Sequence, residues 1–123
     1  MADITLNWGS CEGDKWCSFS KLNLDHNVFD ELFGVYIIWR FNAQNVPQAV
    51  RLGQGIVRDR LKSHRQNKDI TTYDVNGSTL YVTWAEVDGR RVDGVEAYLA
   101  RVLNPLVGER FPNRTENSVN LPW

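Results

Sequence analysis

The chain is poor in the residues that build disulfide frameworks and zinc sites, with two cysteines, Cys11 and Cys17, and two histidines, His26 and His64. A zinc site would need two further well-spaced ligands, and the histidines do not supply the usual pairing. A disulfide across so short a loop is sterically open, but nothing else argues for an oxidising compartment, so free thiols and a cytoplasmic protein are expected. Neither sign of charge dominates. Fourteen Lys and Arg against fifteen Asp and Glu leave a net charge of -1, so the molecule as a whole is not a trap for polyanions. No apolar run approaches the ~20 residues that span a bilayer. Residues 1–10 have no basic or apolar leader character, so no signal peptide is expected. Repeats and low-complexity tracts are also missing.

What is present suits one compact domain. The 123 residues are 42% hydrophobic and 24% charged, with five tryptophans and five phenylalanines, so a short chain has large groups to bury. Charge is unevenly placed. From Arg51 to Lys68 six bases (Arg51, Arg58, Arg60, Lys62, Arg65, Lys68) stand against one acid, Asp59. Such a patch can bind phosphate, or it can be a solvated helix face.

Residues 1–33 read as an N-terminal extension that packs its aromatics on the core, with a short helix over 25–33. Val35 to Phe41 is β-branched and aromatic with little alternation, the pattern of a strand covered on both faces. Asn42 to Pro47 is turn chemistry, and Gln48 to Leu52 is the hairpin partner. Gly53-Gln54-Gly55 then ends the strand and opens a helix from about Ile56 to Asn67, with Val57, Leu61 and His64 on one face. Leu80 to Val87 alternates as a third strand. Val95, Tyr98, Leu99, Val102 and Leu103 make the amphipathic stripe of a second helix, with Asp93 as N-cap and Asn104-Pro105 as its stop. The tail 106–123 docks back through Leu121 and Trp123. The result is a mixed α/β (α+β) domain, a three-stranded antiparallel sheet flanked by helices.

On these elements lie four short motifs. Gly34-Val35-Tyr36 opens the first strand, and Arg51-Leu52-Gly53 ends the second. Arg60 and His64 are four apart on the following helix, and Glu96 is near the start of the last one. In this order they resemble the GIY-YIG nucleases over residues 34–105, and each motif falls on the matching element. Arg51 stands where that family has its second tyrosine. The family's asparagine after the last helix has no counterpart before Asn113.

The resemblance implies metal-dependent hydrolysis of nucleic-acid phosphodiesters, DNA rather than RNA, with one Mg²⁺ or Mn²⁺ ion. Glu96 would be the sole protein ligand of that ion, since Mg²⁺ keeps waters and takes phosphate oxygens as ligands. Glu96 also fits a capping pair with Asp93. Tyr36 would be the general base or would position the water, its phenol depressed from ~10 by a nearby cation. Arg60 would clamp the scissile phosphate. His64 would contact phosphate, move a proton, or pack against Leu61. Arg51 would replace the lost tyrosine chemistry with a second cation aimed at phosphate. Gly34, Gly53 and Gly55 would permit close backbone approach, and Gly53–Gly55 would offer amides to an anion. Target choice would come from a protein partner or a dimer, and no membrane is involved. The competing expectations are a catalytically weakened module that only binds nucleic acid or another anion, and a small interaction protein in which these residues are structural.

Overall fold

The computed structural model describes residues 3–77, 79–108 and 115–123. Its sheet has four strands rather than three, all antiparallel: β1 (Cys17–Ser18), β2 (Phe33–Phe41), β3 (Pro47–Ile56) and β4 (Tyr81–Glu86), in the order β1-β4-β2-β3. The added strand comes from the N-terminal extension and is two residues long, too short for any alternation to show in the sequence. The helices are α1 (Val57–His64), α2 (Lys68–Thr71) and α3 (Val92–Leu103).

β2 is the central strand and is buried on both faces from Gly34 to Trp39, as its unbroken apolar run requires. Tyr36 and Ile38 face α1 with Val57 and Leu61. Val35, Ile37 and Trp39 face α3 with Val95 and Leu99. The expected stripe on α3 holds, except that Val102 is exposed.

Three boundaries differ from expectation. β3 runs through Gly53, Gln54 and Gly55 to Ile56, each paired with β2. The glycines therefore belong to a ladder, not to an anion-binding loop, and α1 starts one residue beyond the strand. The helix expected over 25–33 is only a 3₁₀ turn, Asn27–Phe29; Glu31 has φ of 57°, which helices do not tolerate. The single helix expected to Asn67 breaks at His64, and Asn67 caps α2 by accepting from the Asp69 N–H.

Both terminal segments dock on the sheet. Leu121 and Trp123 join the α3-side core, and the rings of Trp123 and Trp39 lie 4.9 Å apart. Cys11 and Cys17 are joined in a disulfide, which corrects the expectation of free thiols; Cys17 stands on β1 opposite Val82 and is 1% exposed. No helix among the described residues is long and apolar enough to cross a membrane.

Candidate functional site

The site is organised by β3, the edge strand next to β2. Residues opposite one another in an antiparallel pair share a face. Arg51 lies opposite Ile38, Gly53 opposite Tyr36 and Gly55 opposite Gly34, so these three β3 positions form a row on the α1 face. Gln54, between the glycines, faces α3. Leu106 and Val107 donate backbone N–H groups to the carbonyls of Ala49 and Val50. Among the described residues no strand covers the outer edge of β3 beyond that point.

On the α1 face Tyr36 and His64 meet, with Tyr36 Oη 2.5 Å from His64 Nε2. The phenol end lies directly over Gly53, where any β-carbon would collide with Oη. Gly34 is likewise closed to a side chain by the Ala85 carbonyl of β4. At Gly55, with φ of 132°, a β-carbon would stand 3.0 Å from Arg60 Nε. The two β3 glycines are thus seats for the phenol and the guanidinium, which gives the expected close approach a side-chain rather than an amide cause. Arg51 contacts the Tyr36 hydroxyl. Its Nε is buried with no hydrogen-bond partner among the described residues.

The acidic half of the site approaches from α3. Gln54 Nε2 donates to Asp93 Oδ1 at 2.6 Å and to Glu96 Oε1 at 3.1 Å. Asp93 is not the N-cap expected for α3. Arg91 holds that position, and the Asp88 carboxylate accepts from the N–H groups of Arg90 and Arg91. Asp93 and Glu96 are therefore not a capping pair; both turn to the β3 edge.

Electrostatics joins the two halves. Glu96 feels Arg51 and Arg60, and Tyr36 feels Arg51, Arg60 and Glu96. Burial raises the Glu96 carboxyl above its ordinary range, opposed by the Gln54 hydrogen bond and the arginines. Burial also raises Tyr36, outweighing both arginines, so the expected depression of this phenol is not found. His64 falls to about 4, through burial first and then the positive charges of Arg51 and Arg60. At neutral pH the pair is a neutral phenol beside a neutral imidazole.

Exposure separates the groups further. Tyr36 is 2%, Glu96 8% and His64 9% exposed, whereas both arginines line open clefts. Arg60 lies with Gly55, Ile56, Asp59 and Ser63 in one of about 370 Å³. Arg51 lies with Asn67, Asp69, Val107 and Gly108 in another of about 350 Å³. The reactive groups sit in low dielectric beneath two cations, where electrostatic effects are strong.

The basic patch divides in two. Arg58 donates to the carbonyls of Leu24 and His26 and pairs with Asp30 at 2.7 Å; Lys62 pairs with Asp25 at 2.8 Å. Arg65 donates to the carbonyls of Phe19 and Leu22. These three tie the N-terminal extension to α1. Among the described residues Arg51, Arg60 and Lys68 have no carboxylate partner within ion-pair distance.

Gln54 draws the two carboxylates toward one nitrogen, so Asp93 and Glu96 are the oxygen donors that a hard divalent cation would take here, with the amide N–H group moved aside. Among the described residues no three His, Cys, Asp or Glu side chains converge, so such an ion would need water and phosphate oxygens to complete its shell. Gln54 and Asp93 are site residues that sequence reasoning missed, and Asn113 lies outside the described residues. No protein-family model, curated protein or solved structure matches the chain.

Proposed function

We propose that the protein is a divalent-metal-dependent phosphodiesterase acting on nucleic acid, DNA in first place, with Tyr36, His64, Arg60, Arg51 and Glu96 as its site. The observation that carries this is the Tyr36–His64 hydrogen bond of 2.5 Å, set beneath two arginines that also act on Glu96. Titratable groups shifted by burial and by nearby cations without a carboxylate partner are a recurrent mark of functional sites.

The chemistry follows from the proton positions. With His64 neutral and its proton on Nδ1, Tyr36 Oη donates to Nε2 and keeps lone pairs for an attacking water. The water proton then passes to Oη while the phenol proton passes to His64, and no free phenolate forms. Phosphates bound at Arg51 and at Arg60 offset the charges that depress His64, so the substrate itself makes the imidazole a better base. Arg60 grips the phosphate bidentately and stabilises its developing charge. Mg²⁺ or Mn²⁺ held by Glu96, with Asp93 beside it, would supply further charge neutralisation at phosphate.

The second reading is a module that binds nucleic acid or another anion without hydrolysing it. The 2% exposure of Tyr36 and the arginine at the second signature position favour it. Supercoiled plasmid and branched DNA, incubated with and without Mn²⁺ beside Glu96→Gln, separate the two. Metal-dependent nicking lost in the variant supports hydrolysis. Salt-sensitive binding without nicking supports the module. Target choice through a partner or a dimer belongs to the same proposal; a cytoplasmic setting rests on free thiols, and the disulfide removes that support.

A further inference from the structure

The row Arg51, Gly53, Gly55 has a spacing of its own. Alternate residues of a strand are about 7 Å apart along its axis, so β3 sets out three stations in a line. Arg51 stands at the first, the Tyr36 hydroxyl over Gly53 at the second, and the Arg60 guanidinium over Gly55 at the third. The two arginines open into separate clefts. They are therefore not two hands on one phosphate.

Arg51 is also an unfinished contact. Its guanidinium is half-buried, its Nε has no partner among the described residues, and no carboxylate pairs with it there. A desolvated cation without an anion is costly, and the cleft beside it is the place from which an anion can reach it. Gly108 keeps that cleft open. It has φ of 140°, and a β-carbon there would lie 2.7 Å from Arg51 Nη1. Across the cleft, Asn67 uses its oxygen to cap α2, which leaves its NH₂ group for an acceptor. Asp69 lines the same cleft, and its negative charge disfavours a dianionic terminal phosphate relative to a singly charged diester.

The geometry points to a second diester subsite at Arg51, so that one nucleic-acid strand runs along the outer edge of β3 with the scissile phosphate at Arg60 and the next phosphate but one at Arg51, two stations away. This rests on the nucleic-acid reading above and adds the path of the strand. Arg51 then recognises substrate and does not replace tyrosine chemistry. The preferred ligand carries at least three consecutive diesters, and a lone terminal phosphate is a poor one.

The test uses the whole protein in EDTA, with binding followed by NMR shifts. The probes are the thymidine tetranucleotide TpTpTpT and its two versions with the first or the last of its three diesters made a neutral methylphosphonate. The unchanged protein should lose on the order of tenfold in affinity for either neutral version, the size of one charged hydrogen-bond contact. Arg51→Met should become indifferent to one of the two replacements and stay sensitive to the other. Arg60→Met should show the reverse pattern, Arg51→Lys should fall between, and Lys21→Met should match the unchanged protein. Thermal melts establish that each variant is folded. If Arg51→Met remains equally sensitive to both replacements while the unchanged protein binds or nicks plasmid, the subsite is wrong and the nucleic-acid reading stands. If the unchanged protein binds neither TpTpTpT nor plasmid, both fall.

Discussion

Tyr36 on the central strand and His64 at the end of α1 share a hydrogen bond of 2.5 Å, although 28 residues separate them in the chain. Neither carries a charge at neutral pH, since burial raises the phenol and holds the imidazole at about 4. In the proposed reaction the pair thus serves as a route for a proton rather than as a stored negative charge. Removing the hydroxyl in Tyr36→Phe should lower the cleavage rate by about 10²–10⁴-fold, the size of a general acid–base contribution. The melting temperature should move little. Single-turnover cleavage with Mn²⁺, read beside a thermal melt, checks both.

The imidazole should report its surroundings directly. Its folded value of about 4 lies below the ordinary 6.5, so between those values the unfolded chain binds the proton and the native protein does not. Stability from this group is complete above 6.5, falls as pH drops toward 4, and levels off below. In ¹⁵N NMR titration His64 should stay neutral down to about pH 4, and His64→Gln should flatten that part of the stability profile. A midpoint near 6.5 would contradict the burial of the site.

Gly53→Ala places a methyl group on the Tyr36 hydroxyl. The strand conformation there suits any residue, so the cost is one of packing, about 1–3 kcal/mol, with the phenol pushed from His64. Cleavage should fall on the order of 10²-fold, as misplacement by an ångström does. Urea melts and single-turnover rates measure the two effects.

The two kinds of arginine should separate in assays. Arg65 donates to the carbonyls of Phe19 and Leu22, so Arg65→Ala should destabilise the protein by roughly 2–3 kcal/mol, the scale of charged hydrogen bonds. Arg60→Ala should shift stability by no more than ~0.5 kcal/mol while weakening oligonucleotide binding. Chemical denaturation and fluorescence anisotropy on both variants distinguish tether from clamp.

Much of this was legible in the sequence. The run Val35 to Phe41, the alternation of Leu80 to Val87 and the stripe of Val95 and Leu99 each state their element through periodicity; the first carries Tyr36, and the four-residue spacing of Arg60 and His64 puts both on α1. Gly53-Gln54-Gly55 misled, because glycine pairs read as a turn while here they stand in a ladder. That error hid Gln54. Had the strand been carried on, alternation alone would put Gln54 opposite to Arg51 and toward Glu96. Asp93 was misplaced because Asp88 competes for the helix end, and nothing local ranks the two. Partners of Arg58, Lys62 and Arg65 lie in the N-terminal extension, and contacts across 28 to 46 residues leave no trace in local pattern.

The disulfide makes a separate prediction. Joining Cys11 to Cys17 closes a loop with a sequence separation of 6, which should stabilise the oxidised form by roughly 2 kcal/mol. Urea melts with and without reductant, beside thiol titration, measure it. Two titratable thiols in unreduced protein would show that the pairing does not form.

The account stands on the phenol and the carboxylate serving one reaction from opposite faces of β3, and non-additivity is its most direct measure. Single-turnover nicking with Mn²⁺ should be followed for Tyr36→Phe, Glu96→Gln and the double variant. Groups that act as a unit lose about as much singly as together, so the double variant should be little slower than the worse single one. Losses that multiply independently, or nicking that survives Glu96→Gln at the unchanged rate, would contradict the shared site.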